Sequence, residues 1–164
     1  MICTARWRML VDIRTKGGPA VKVAEILRSK GANVLTVERA VSLRSALERM
    51  AVSGVGALVV TGPDGSMVGI VSERDVVRAL ATSGATALDA AVEDVMTREV
   101  ITCTPDDKIT ELMGVMTRRR TRHLPVLDGP RLAGIVSIGD LVKARVNELE
   151  MESQILREAY ARTH

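Results

Sequence analysis

Aromatic side chains are almost missing: one Trp, one Tyr and no Phe in 164 residues. A core must therefore be assembled from Val, Leu, Ile, Met and Ala, and a base-stacking platform for single-stranded nucleic acid is not expected. Cysteine is scarce too. Cys3 and Cys103 lie far apart and outside any CxxC pattern, which predicts reduced thiols in a cytoplasmic protein. With only two histidines beside them, no structural zinc site is expected. No apolar run approaches the length of a membrane helix. The basic start MICTARWRMLVDIRTKGG has too short an apolar stretch for a signal peptide, and residues 1–20 are expected to form a tail. Charge of one sign is lacking as well: 23 basic against 20 acidic residues leave a net +3, a mild excess that does not mark a polyanion binder. Neither GxxxxGK nor GxGxxG occurs, and GVGALVV (residues 54–60) has no lysine after it. No Ser-His-Asp or Cys-His set suggests itself, so a non-enzyme without catalytic cofactor or metal is expected.

What is present is a repeat. GIVSERD (residues 69–75) returns as GIVSIGD (residues 134–140). Around it, two series of elements align. SLRSALERMA (42–51) puts Leu43, Ala46, Leu47, Met50 and Ala51 on one helical face, and KITELMGVM (108–116) does the same with Ile109, Leu112, Met113 and Met116. Ser42, and Asp106 or Asp107, stand where N-caps belong. The apolar runs ALVV (57–60) and LPVL (124–127) end in turn residues and lead to MVGIVS (67–72) and LAGIVS (132–137), which predicts two hairpins. VLTV (34–37) and VITC (100–103) are further strand candidates, preceded by the helical pieces VAEIL (23–27) and VEDVM (92–96). The halves are expected at 21–81 and 91–146, with a small-residue linker at 82–90. A long helix from Leu141 to about Arg162, its extension at 147–164 having an apolar side, is suited to packing on a partner chain.

This order, with the paired GIVSxxD, the DVMT of residues 94–97 and the RHLPV of residues 122–126, resembles a tandem pair of CBS motifs, a Bateman module. The resemblance covers residues 21–145, and the whole chain is similar to small stand-alone bacterial CBS-pair proteins. It implies an α/β (α+β) fold of two β-α-β-β-α units packed through their sheets about a pseudo-two-fold, with two clefts between them. It further implies adenine nucleotide sensing without an attached enzyme, and a disc-shaped homodimer.

Ser72 with Asp75, and Ser137 with Asp140, read in two compatible ways. Ser-x-x-Asp before an apolar helix is a capping box. The same helix start attracts phosphate or a hydroxyl-rich ligand, and an Asp carboxylate accepts hydrogen bonds from vicinal hydroxyls. The resemblance implies that Asp75 and Asp140 hold ribose with the serines beside them. The copies disagree at RRRTRHLPV (118–126): a shift of 66 residues sets Arg122 against Gly56 and His123 against Ala57. Arginine is a bidentate phosphate clamp, although a helix C-terminus also favours it. The resemblance implies that Arg122 and His123 face nucleotide phosphates and that Thr36 and Thr102 border the cleft; Arg120 from the same cluster is a further phosphate candidate, and Arg74, next to Asp75, a weaker one. The two sites are then unequal, AMP, ADP or ATP preferring the arginine-lined one. NAD(H) laid across one cleft and a ligand-free docking scaffold are the alternatives. Nucleic-acid binding through the arginines is a remote one, and the protein effector is not legible.

Overall fold

The computed structural model describes residues 20–161. The expected tail falls almost wholly outside them, as do Cys3 and residues 162–164. The order of elements is α1 (Val23–Lys30), β1 (Thr36–Glu38), α2 (Leu43–Ser53), β2 (Ala57–Thr61), β3 (Met67–Ser72), α3 (Glu73–Ser83), a 3-10 helix (Gly84–Asp89), α4 (Val92–Val95), α5 (Ile109–Arg119), β4 (His123–Asp128), β5 (Arg131–Ser137) and α6 (Ile138–Ala161). This is the mixed α/β architecture with two small sheets and a long last helix that the repeat implied. Among the described residues no helix is long and apolar enough to cross a membrane.

Local rules explain the boundaries. Ser42 caps α2, its hydroxyl accepting from the Ser45 amide at 3.3 Å, and Gly54 ends that helix at φ 63°, a conformation that costs glycine nothing. In α5 the expected Asp cap does not form. Lys108 takes the N-cap position, where no side chain caps the helix, and the Asp107 carboxylate is held instead by the Thr104 amide at 2.7 Å. α3 runs on to Ser83 before Gly84 turns the chain at φ 64°.

The first sheet has order β1-β2-β3, with β1 parallel and β3 antiparallel to β2, whereas the second holds only the β4-β5 hairpin. Both hairpins shift register at the same place, Val60/Thr61 and Val126/Leu127. The strand expected at VITC reduces to one parallel bridge, Cys103 to Val126. The reason lies on the neighbouring strand. In the first sheet the Val59 amide donates to the Leu35 carbonyl at 3.1 Å. Its counterpart is Pro125, which has no N–H to offer Ile101.

Each leading helix packs on the other half. Val23 and Ile26 of α1 lie in the core of Ile109, Leu112, Met116, Leu124, Val126, Val136 and Leu141. Val92 and Met96, within and just after α4, join Val37, Leu43, Met50, Leu58, Val60, Val71 and Val76. Backbone bonds fix the exchange in matching pairs. Val23 and Ala24 donate to Asp107 and Pro105, while Val92 and Glu93 donate to Val41 and Arg39, all at 2.8–3.0 Å. They satisfy helix-start donors that would otherwise be orphaned.

The exchange explains the doubled glycine of GIVS. A Cβ on Gly69 would stand 2.7 Å from Met96 Sδ and 2.9 Å from the Thr97 carbonyl oxygen, and one on Gly134 would stand 2.6 Å from Leu27 Cδ2. Both strands lack a side chain where the borrowed helix end crosses. Ala57 and Val59 are buried yet belong to neither core, so the opposite face of the first sheet is also covered, at the seam where Gly56 meets His123.

Candidate functional site

The GIVSxxD pair forms a capping arrangement at each helix start. The Ser72 amide and hydroxyl both donate to Asp75 Oδ2, at 2.9 and 2.6 Å. The Ser137 amide and hydroxyl donate to Asp140 Oδ2 at 2.7 and 2.9 Å, and the Asp140 amide returns a bond to Ser137 Oγ at 3.2 Å. These pairs hold the helix starts of α3 and α6 to the ends of β3 and β5. A hydroxyl-bearing ligand would have to use the remaining oxygen, Oδ1, of either carboxylate.

The two aspartates differ in their cationic neighbours. Asp75 is buried, with Arg78 Nη1 at 3.8 Å from Oδ1. Asp140 is more open and carries Lys30, whose ammonium donates to Oδ2 at 2.7 Å. Burial works against the Asp140 charge, but the bonds from Lys30 and Ser137 outweigh it and hold its carboxyl below the usual range. Its contribution to stability is therefore in place above the ordinary carboxylate pKa and drains away as pH falls through the lowered value.

The arginines converge elsewhere. A shallow cleft of about 240 Å³ is lined by Arg74, Thr117, Arg120, Thr121, Arg122 and Ile138, with Met116 at its base. Arg74 comes from the first half and reaches across, its Nη1 donating to the Arg120 carbonyl at 3.0 Å. No acidic residue lines the cleft, so its field favours anions. The volume is below that of a pocket enclosing a whole drug-sized ligand and suits one end of a nucleotide, the phosphates.

Arg120 carries a further mark. It ends α5 at φ 52°, the sole non-glycine with positive φ among the described residues. Its counterpart under the 66-residue shift is Gly54. A left-handed side chain costs about 1 kcal/mol, and here it sets a guanidinium at the rim of the cleft.

His123 opens β4 at the seam between the halves, half-buried. A Cβ at Gly56 would stand 3.3 Å from both His123 Cε1 and Glu73 Oε2, so the glycine makes room for a ring and a carboxylate. Burial pushes the His123 pKa down; Asp140 and Glu73 oppose this, while Lys30 and Arg122 add to it. Its ring is thus held neutral to lower pH than a free imidazole.

Of the residues singled out in the sequence, Arg74, Arg120 and Arg122 share the cleft. Ser72, Asp75, Ser137 and Asp140 belong to the two caps, and His123 sits between. Thr36 in β1 and Thr102 beside the Cys103 bridge are partly buried and line no part of the arginine cleft. The sequence reading missed Thr117, Thr121 and Ile138, which follow from the same helix end, and Lys30, which no local pattern reveals because α1 belongs to the opposite core. Cys103 is buried, and burial together with the Asp107 charge pushes its thiol up to about 12; it is no nucleophile. Among the described residues no cluster of potential metal ligands occurs.

Comparison with known proteins gives a consistent picture. A family model for the CBS domain matches residues 23–82 and 92–147. The mitochondrial CBS domain-containing protein CBSX3 of Arabidopsis thaliana is 35% identical over 148 residues, which span 85% of this chain and 72% of the relative. The CBS-domain containing protein ATU1752 from Agrobacterium tumefaciens superposes with a TM-score of 0.76 at 43% identity, over 81% of this chain and 99% of that one. The CBS domain pair of protein MJ0100, solved with 5'-methylthioadenosine and S-adenosyl-L-methionine, superposes with a TM-score of 0.70 at 25% identity, over 79% and 99% of the two chains.

Proposed function

This chain belongs to the CBS-domain family as a tandem pair, and from that premise we propose that it is a non-catalytic sensor of adenine nucleotides, AMP, ADP or ATP. The observation that carries the reading is the arginine cleft, to which the first half contributes Arg74 and the second Arg120 and Arg122. Three guanidinium groups, each able to bind phosphate in bidentate fashion, suit a phosphate chain. The strain kept at Arg120 supports a role for that side chain beyond folding. The ligand-bearing MJ0100 pair supports an adenosine moiety, whose ribose hydroxyls would meet Oδ1 of Asp140 or, in competition with Arg78, of Asp75. A ligand held by arginines from both halves favours the relative orientation it binds better, and the signal is that shift in population.

Isothermal titration with AMP, ADP, ATP, NADH, S-adenosylmethionine and 5'-methylthioadenosine tests the reading. Binding of ATP or ADP, weakened at least ten-fold in Arg120→Ser and Arg122→Ser, is expected. Equal binding of methylthioadenosine, indifferent to the arginines, would favour a phosphate-free adenosine ligand. Binding of NADH alone would favour a dinucleotide. No heat with any of them leaves the scaffold reading.

A further inference from the structure

The last helix outruns the core it belongs to. Leu141 is its one fully buried residue, and beyond it apolar side chains recur at Val142, Val146, Leu149 and Leu156, with Ser153 between the last two. These four are 44, 47, 46 and 70% exposed, so neither core covers the stripe. The steps alternate between four and three residues, the heptad spacing of a two-stranded coiled coil. Val146 and Ser153 take the a positions, and Val142, Leu149 and Leu156 the d positions. From residue 150 onward the helix contributes nothing to either core. An unsupported helix of this length is marginal in water, so the distal turns call for a partner.

The charges beside the stripe say which partner. The flanking g positions hold Arg145 and Glu152, and the e positions hold Glu150 and Arg157. In a parallel, in-register pair each g residue meets the e residue five positions on in the other helix. Arg145 then faces Glu150 of the second copy, and Glu152 faces its Arg157; every pair is of opposite sign. An antiparallel pair over the same span would centre near residue 151 and bring Glu150 and Glu152 against their own copies, like charge on like. We infer that α6 is a homodimerisation seam on which a second copy of this chain pairs in parallel and in register. This is independent of the nucleotide reading. Arg145 also holds Glu148 within its own helix, so Glu152 and Arg157 are the cleaner pair to test.

Single charge reversals at these exposed positions leave the cores untouched. Glu152→Arg and Arg157→Glu should each weaken self-association at least ten-fold in sedimentation velocity, through Arg-Arg and Glu-Glu contacts respectively. Mixed together, the two variants should form a heterodimer at least ten-fold tighter than either homodimer, because both of its contacts, position 152 of each chain against position 157 of the other, are again of opposite sign. Leu156→Cys in a Cys3→Ser background should cross-link to itself on oxidation, which an antiparallel pair centred near residue 151 would not allow, since it sets the two copies of that position about ten residues apart along the axis. A monomeric full-length chain, whether residues 1–19 or another protein covers the stripe, overturns the inference. So does a dimer indifferent to Leu149→Glu with Leu156→Glu, or one in which the mixed reversals fail to pair.

Discussion

The two halves repeat one unit, and the differences between them show where chemistry has been laid over structure. The first half keeps a three-stranded sheet, a glycine at the end of α2 and an aspartate buried in its cap. The second loses a strand to Pro125, replaces the glycine with Arg120, and opens its aspartate to Lys30. Each change weakens a local rule of folding, and two of the three bring a cation to the seam between the halves. The first half is closer to a scaffold. The second is where a ligand would be read, with Arg74 as the scaffold's contribution.

The largest effect that separates the halves should come from the paired glycines. Gly69 faces the Thr97 carbonyl as well as Met96, whereas Gly134 faces only the far end of Leu27. A backbone oxygen cannot swing aside and a leucine tip can. Gly69→Ala should therefore cost about 2–3 kcal/mol and Gly134→Ala about 1 kcal/mol, measured by urea denaturation. Equal costs would mean that the two borrowed helices are held alike, and that the seam is less rigid on the first side than the carbonyl contact implies.

The next contrast is at the helix ends. Arg120→Gly should stabilise the fold by about 1 kcal/mol by removing left-handed strain, raising Tm by roughly 2–4 °C. The reciprocal change, Gly54→Ala, should cost about as much. The same Arg120→Gly protein should bind ATP at least ten-fold more weakly. More stability with less binding would identify a residue kept for its charge against its backbone preference. If stability fell instead, the guanidinium would be a structural prop and the phosphate reading would lose its main support.

How much of this the sequence discloses follows from the range of the forces involved. The caps, hairpins and helix faces are local, so Ser72 to Asp75 and Ser137 to Asp140 are legible from spacing alone. The left-handed Arg120 is legible in principle, since aligning the copies sets it on Gly54. The exchange of α1 and α4 is not. Val23 and Ile26 form an apolar face that would suit either core, and only the backbone bonds to residues 105 and 107 decide between them. Lys30 is lost for the same reason, because nothing near it in sequence points to a carboxylate in the other half. VITC misleads because its fate is decided on another strand.

Pro125 supplies the smallest and most local contrast. Valine in its place would restore the amide that Val59 offers to Leu35 in the first half, and with it a bond to Ile101. A net hydrogen bond contributes about 1 kcal/mol, but removing proline restores freedom to the unfolded chain and costs about 0.4–1 kcal/mol. The two nearly cancel, so Tm should move little in Pro125→Val. The decisive readout is hydrogen exchange. The amide newly present at position 125 should be protected about as well as the Val59 amide, and residues 101–103 should gain order as a third strand. If that amide exchanges freely, the missing strand has another cause, and the loop after α4 holds Ile101 out of reach of β4 even though Cys103 already pairs with it.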